Sequence, residues 1–173
     1  MSIILTYTGN IQNFKEACRE ANEILSSNEF IEMIASRKEP YDDSEPSDLS
    51  PRKIAEFFQK SNLQLTLKHY SRPQSIGGAF DPDYPTTLWV NVNTNRKGCT
   101  YAAVLIHECV HALSYHTPNY DFTHKTNGQN GNEDSAPYAI QTATRNNFCN
   151  QAFSIGQDLI EVETKVKKED IVD

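Results

Sequence analysis

The stretch TYAAVLIHECVHALSYH, residues 100–116, constrains this chain more than any other. From Tyr101 to Tyr115 it holds neither glycine nor proline, and Pro118 stands just beyond its last turn. Thr100 reads as its N-cap. Ala102, Ala103, Leu105, Ile106, Cys109, Ala112 and Leu113 give it a broad apolar surface. The pattern predicts a long, mostly buried helix. Within it stand His107, Glu108 and His111. Residues four apart share a helix face, so both imidazoles point the same way and can grip one cation. Glu108 follows the first imidazole directly, where its carboxylate can reach a water on that cation. The H-E-x-x-H spacing implies Zn2+ held by His107 and His111, Glu108 as general base, and hydrolysis by a metal-activated water. The bland alternative is two ordinary histidines beside a solvated glutamate. Burying such a set without a cation would carry a desolvation cost.

A chain of 173 residues fits one domain with a real core. Mean hydropathy of -0.61, net charge of -7 and a pI near 5.2 describe a polar, acidic protein. They argue against nucleic acid or an anionic membrane as the main partner. No apolar run approaches the ~20 residues of a membrane span. The start, MSIILTYTGN, lacks the basic and long apolar parts of a secretory signal, so synthesis in the cytoplasm is expected. Cys18, Cys99, Cys109 and Cys149 are few and scattered, and free buried thiols are the expected state.

The first part, residues 1–62, reads as helical. Ile11, Phe14, Ala17, Cys18, Ala21, Ile24 and Leu25 follow the spacing of an amphipathic helix. A second helix is expected around Glu29–Ser36, carrying Phe30, Ile31 and Ile34. KEPYDDSEPSDLSP, acidic and rich in proline and serine, reads as a long, mobile loop. Ser50 then caps a short helix with Pro51 at its first position, and Leu49 and Ile54 are spaced as a hydrophobic staple. Residues 63–150 hold the expected sheet and the metal-site helices. Leu63, Leu65, Leu67 and His69 alternate as a strand. Gly77-Gly78 and Asp81-Pro82-Asp83-Tyr84-Pro85 are turn chemistry. Thr87 to Asn93 alternates again, with Leu88, Val90 and Val92 facing inward and Trp89, Asn91 and Asn93 facing water. That strand is either an ordinary half-wet strand or a sheet edge able to pair with an extended peptide. Residues 151–173 form a tail whose last part, from Glu161, could be strand, helix or without order. The fold class expected is α+β, a single domain with a small mixed sheet packed on helices.

A catalytic zinc needs a third protein ligand and one open position. His116, Asp121, His124, Glu133 and Asp134 lie downstream. A further histidine in the spacing H-E-x-x-H-x-x-G-x-x-H is excluded by Ser114 and Thr117. The segment Asn132-Glu133-x-x-Ala136 resembles the N-E-x-x-A segment of gluzincin metallopeptidases, and the chain looks like a minimal zincin of that type over its second half. The N-terminal part is loosely similar to small bacterial metallopeptidase effector and toxin domains. The resemblance implies His107, His111 and Glu133 as metal ligands and Glu108 as general base. Pro137, four residues after Glu133, cannot donate to its carbonyl, which keeps Asp134 open as the ligand. For the oxyanion, Tyr138 is the first candidate and His124 the second, ahead of Tyr115, Tyr120, His116 and Arg145. Arg145 could instead pair with Glu133 or Asp134. The polar stretch from Pro118 to Asn132 reads as a loop over the site.

The expected partner is a protein or peptide substrate. The effector resemblance adds export by a specialised secretion system, a host or rival protein as target, and a cognate inhibitor or immunity protein. A cytosolic housekeeping hydrolase and a non-catalytic zinc-binding regulatory domain are the alternatives. A peptide deformylase is disfavoured, because Gly98-Cys99 abuts the helix and Val110 stands where that family has aspartate.

Overall fold

The computed structural model describes residues 3–73, 77–124, 133–149 and 171–172. Its core is built on the motif helix. That helix, α4 (Gly98–Tyr115), is buried from Tyr101 to Ser114. It begins two residues before the expected cap: Lys97 is the N-cap, without a side-chain hydrogen bond. Gly98 takes a φ of +52°, a left-handed conformation that suits glycine at this entry.

Two earlier helices follow their sequence patterns closely. In α1 (Gln12–Leu25) Phe14, Ala17, Cys18, Ala21, Ile24 and Leu25 are buried, while Ile11 caps the helix and stays exposed. In α2 (Asn28–Ala35) Phe30 and Ile34 are buried. Ser27 caps α2 by accepting from the Phe30 N–H. In α3 (Pro51–Lys60) the Ser50 hydroxyl accepts from the Lys53 N–H, with proline in the first turn. Leu49 and Ile54, the expected staple, are both buried. Helix α1 packs on α4, and α4 packs on α5 (Ala136–Phe148).

The sheet is mixed, with strand order β1-β2-β4-β3. Strands β1 (Ile4–Thr6), β2 (Gln64–Tyr70) and β4 (Thr87–Asn91) run parallel, and β3 (Gly78–Phe80) runs antiparallel to β4. A short β5 (Ile171–Val172) pairs antiparallel with the end of β2. Of the tail, only this strand falls within the described residues. The chain is thus a single-domain α+β fold with a small mixed sheet packed on helices. Its N-terminal part is not purely helical, since β1 joins the sheet. Asn22 of α1 bonds both backbone groups of Leu5, which occupies the outer side of this edge strand.

Two expectations about β4 are corrected. It is an inner strand, flanked by β2 and β3, so it is not available to an added peptide. It also has no wet face: all five of its residues are buried. Trp89 joins Tyr70 and Ala79 in a second small apolar cluster, with Ile171 packed on it. Asn91 is buried because its side chain serves the following loop, donating to the Arg72 and Pro73 carbonyls and accepting from the Arg72 and Asn93 N–H groups. Alternation gave the strand; the covering of its second face depends on residues far away in sequence.

The acidic segment after α2 is also not a loose loop. Its backbone forms two isolated bridges, Asp42 to Ser135 and Glu45 to Asp121. The Glu45 N–H donates to the Asp121 carbonyl at 2.6 Å, and the Glu45 carbonyl accepts from the Asp121 N–H at 2.9 Å. Tyr41, Ser44 and Leu49 are buried beneath it. Local composition signalled turn and solvent; tertiary pairing fixed the segment as a strap.

The cysteines divide in a way that spacing did not show. Cys18 and Cys109 are buried free thiols, as expected, but Cys99 and Cys149 form a disulfide with Cα atoms 5.5 Å apart. The bond joins the first turn of α4 to the C-cap of α5. It closes a loop with a sequence separation of 50. By loop-closure entropy, Cys99→Ser should lower the unfolding free energy by about 4 kcal/mol. Urea denaturation of the oxidised wild type and the variant measures this, and equal midpoints would show that helix packing alone holds the pair.

Candidate metal centre

Helix α4 delivers His107 and His111 from one face, and a turn beyond the helix delivers His124. All three are buried. They form the described group of histidine, cysteine or acidic residues whose ligand atoms come together. His111 Nε2 lies 3.1 Å from His107 Nε2 and 3.1 Å from His124 Nε2, and the third side of the triangle is 3.4 Å.

His124 is placed by a small hydrogen-bonded turn. Asp121 Oδ1 accepts from the Thr123 N–H at 3.0 Å and from the Thr123 hydroxyl at 2.8 Å. The Phe122 N–H donates to the Ser114 hydroxyl at 3.0 Å, tying the turn to the end of α4. Phe122 is buried, and Phe57 of α3 stacks on it and meets Tyr120. From outside, the strap pins Asp121 through Glu45.

The electrostatics of the triangle favour a cation. Burial pushes the His107 and His111 pKa values well below the ordinary imidazole range, and the neighbouring imidazoles add to this by charge repulsion. Neutral rings keep a lone pair on one nitrogen each. Three such nitrogens converging without a positive charge would repel. An ion held tetrahedrally at 2.0–2.1 Å sets ligand nitrogens about 3.3–3.4 Å apart. The observed separations of 3.1 to 3.4 Å fit that figure closely. The residues present therefore suit a metal ion held by three imidazole nitrogens.

Around the triangle the second contacts come from α5 and β3. The Tyr138 ring stacks on His124 at 4.8 Å and meets His107 edge-on at 4.7 Å. Gln141, one turn further along α5, is buried near His107 and raises its pKa against the burial effect. Glu108 is buried. A Cβ on Gly78 would stand 3.2 Å from its Cγ and 3.3 Å from its Oε1, so the edge strand passes directly over this carboxylate. A cavity of about 630 Å³ opens beside His111.

Of the residues expected at the site, His107, Glu108, His111, His124 and Tyr138 assemble there. His124 arrives as a member of the imidazole triangle, not as a distant oxyanion donor. Glu133 does not join it: the residue is exposed, and α5 starts only at Ala136, with Ser135 as N-cap and Pro137 in the first turn. The proline that strained the N-E-x-x-A reading thus sets the helix start beyond Glu133, which leaves that carboxylate outside the cluster. Asp134 is exposed too and forms a 2.8 Å ion pair with Arg37. His116 caps α4 and bonds the Pro85 carbonyl at 2.9 Å. Tyr115 and Tyr120 line the cavity, and Arg145 is buried in α5. Residues 125–132 of the expected loop over the site lie outside the described residues. Gln141 was missed, because nothing local distinguishes it from a solvent-facing helix residue.

Fold and site together define a single-domain α+β protein with a buried tri-histidine group able to bind a metal ion. No family model, curated protein or solved structure matches the chain. No described helix is long and apolar enough to cross a membrane.

Proposed function

We propose that this protein is a zinc-dependent peptidase in which His107, His111 and His124 hold the metal and Glu108 is the general base. The observation that carries the reading is the convergence of three buried imidazole nitrogens beside a buried glutamate of the same helix. Three ligands leave a coordination position for water, and a structural zinc site would ordinarily fill it with a fourth protein ligand. The ion, when bound, acidifies water and polarises a carbonyl.

The chain's own residues account for the rest. Glu108 takes the proton as the water oxygen adds to the peptide carbonyl carbon, and passes it to the departing amine as the C–N bond breaks. Tyr138 walls the site by packing on two of the imidazoles. The edge strand β3 supplies main-chain groups beside Glu108 that an extended peptide could pair with. A peptide rather than a small molecule is favoured by this edge position in the sheet and by the cavity that Phe80 lines at the strand's end. Export as an effector remains part of the proposal on the sequence resemblance. The Cys99–Cys149 bond supports action in an oxidising setting.

The test is cleavage of a denatured protein or peptide mixture, followed by mass spectrometry, with the protein zinc-loaded, stripped by chelator, and reloaded. Cuts that vanish on stripping and return on reloading are expected. Stoichiometric zinc without any cut would favour the non-catalytic regulatory alternative.

A further inference from the structure

One covalent bond encloses the whole candidate centre. The Cys99–Cys149 disulfide closes a loop with a sequence separation of 50. His107, Glu108, His111, His124 and Tyr138 all lie inside that loop. Cys99 stands in the first turn of α4, about 12 Å along the helix axis from His107. Cys149 is the C-cap of α5. Both are half-buried, whereas the free thiols Cys18 and Cys109 are buried. Helix α5 is thus tethered at each end. Before its cap the Asp42 N–H donates to the Asp134 carbonyl at 3.0 Å, and at its last turn the disulfide holds it to α4. Between the tethers, the buried Tyr138 ring meets His107 of α4 at 4.7 Å and His124 of the turn at 4.8 Å. One ring therefore touches two ligands from different segments, and the position of α5 bears on their spacing. A helix of 13 residues is marginal on its own in water, so that position depends on packing and on the tethers.

We propose that the Cys99–Cys149 bond is a redox switch on the metal centre: closed, it holds α5 and Tyr138 against the imidazoles, and opened by a dithiol, it lets α5 ease away and metal affinity falls. The switch rests on the metal centre of the reading above and not on peptide cleavage. In opening, one thiolate of the dithiol attacks a sulfur of the pair, and the S–S bond breaks with the other cysteine leaving as thiolate. The second thiolate of the reductant then closes its own disulfide and releases the first cysteine. Two electrons and two protons pass to the protein, and the dithiol ends as a disulfide. The open chain must gather three imidazoles from a loop no longer closed, so less of it is ready to bind. Binding and oxidation then favour each other reciprocally. The chain would hold its metal weakly in a reducing compartment and tightly in an oxidising one.

Zinc affinity, measured by competition with a chromophoric chelator, tests this without turnover. Oxidised wild type is compared with wild type reduced by a phosphine, which adds no thiol to compete for zinc, and with Cys99→Ser/Cys149→Ser. The reduced and serine forms should bind zinc about ten- to a hundredfold more weakly than the oxidised form. Should the serine variant not fold, the reciprocal measurement needs only the wild type. The chain is equilibrated in glutathione redox buffers with and without excess zinc, quenched in acid, unfolded and alkylated. Mass then separates the oxidised chain, with its two free thiols labelled, from the reduced chain, with all four cysteines labelled. Zinc should move the midpoint toward the disulfide. Equal zinc affinity in the oxidised and reduced forms, tighter binding by the reduced form, or a midpoint that zinc leaves in place would overturn the switch. No zinc bound by the oxidised chain would overturn the metal centre and the switch with it. Absence of peptide cleavage, with the redox dependence of zinc binding intact, would strike the peptidase reading alone.

Discussion

Replacing Glu108 by glutamine is expected to lower peptide cleavage by about 10²–10⁴-fold while zinc content stays at the wild-type level. The amide has the shape of the carboxylate but cannot take a proton from water. Glu108 is not one of the three converging ligands, so the ion should remain. Activity measured with equal zinc loading checks this directly. A variant that cuts at the wild-type rate would remove Glu108 from the role of base. A variant that loses both zinc and activity would instead make the carboxylate part of the metal's support. The position is tightly held, since Gly78 leaves no room for a side chain above it. The isosteric amide fits the same space, so the expected effect is on rate and not on folding.

Metal content should divide His124 from Glu133 even more sharply. His124→Ala removes one of three ligands and opens a hole between the Tyr138 ring and the other two imidazoles. Zinc per chain in protein purified without added metal should fall from near one to a small fraction. An affinity loss beyond the 10–100-fold of an outer-sphere change is expected, because a direct ligand is lost. Glu133→Ala should retain zinc, because that residue lies exposed outside the cluster. Elemental analysis of the two variants in parallel gives the answer. Zinc kept by His124→Ala and lost by Glu133→Ala would restore the ligand set implied by the gluzincin resemblance.

The contrast between these two residues shows how much of the site could be read in the chain. His107, Glu108 and His111 were legible because one helix carries all three, and helix geometry is set by local sequence. His124 was visible only as one of several downstream candidates. Its approach depends on the Asp121 turn, the Ser114 bond and the Glu45 bridge, and no short-range spacing encodes that combination. Glu133 looked better placed because a five-residue pattern matched, but Pro137 decided where the helix begins. The fold shows the same division. The stripes of α1 and α2 and the Ser50-Pro51 cap are local and were found. The Cys99–Cys149 pairing and the inner position of β4 are long-range, and composition pointed the other way for the cysteines.

Every imidazole of the centre lies in the second half of the chain, yet that half is not self-sufficient. The turn presenting His124 takes its backbone partner from Glu45, and the residue before the α5 cap takes its partner from Asp42. Helix α3 contributes the ring that backs Phe122. The geometry of the imidazole group is thus tied to closure of the first fifty-odd residues onto the rest. A ligand that recognises only the closed arrangement stabilises all of it, by an amount that grows with free ion concentration. An ion held at this centre would then stabilise the N-terminal part of the chain together with the helix and turn that carry its ligands.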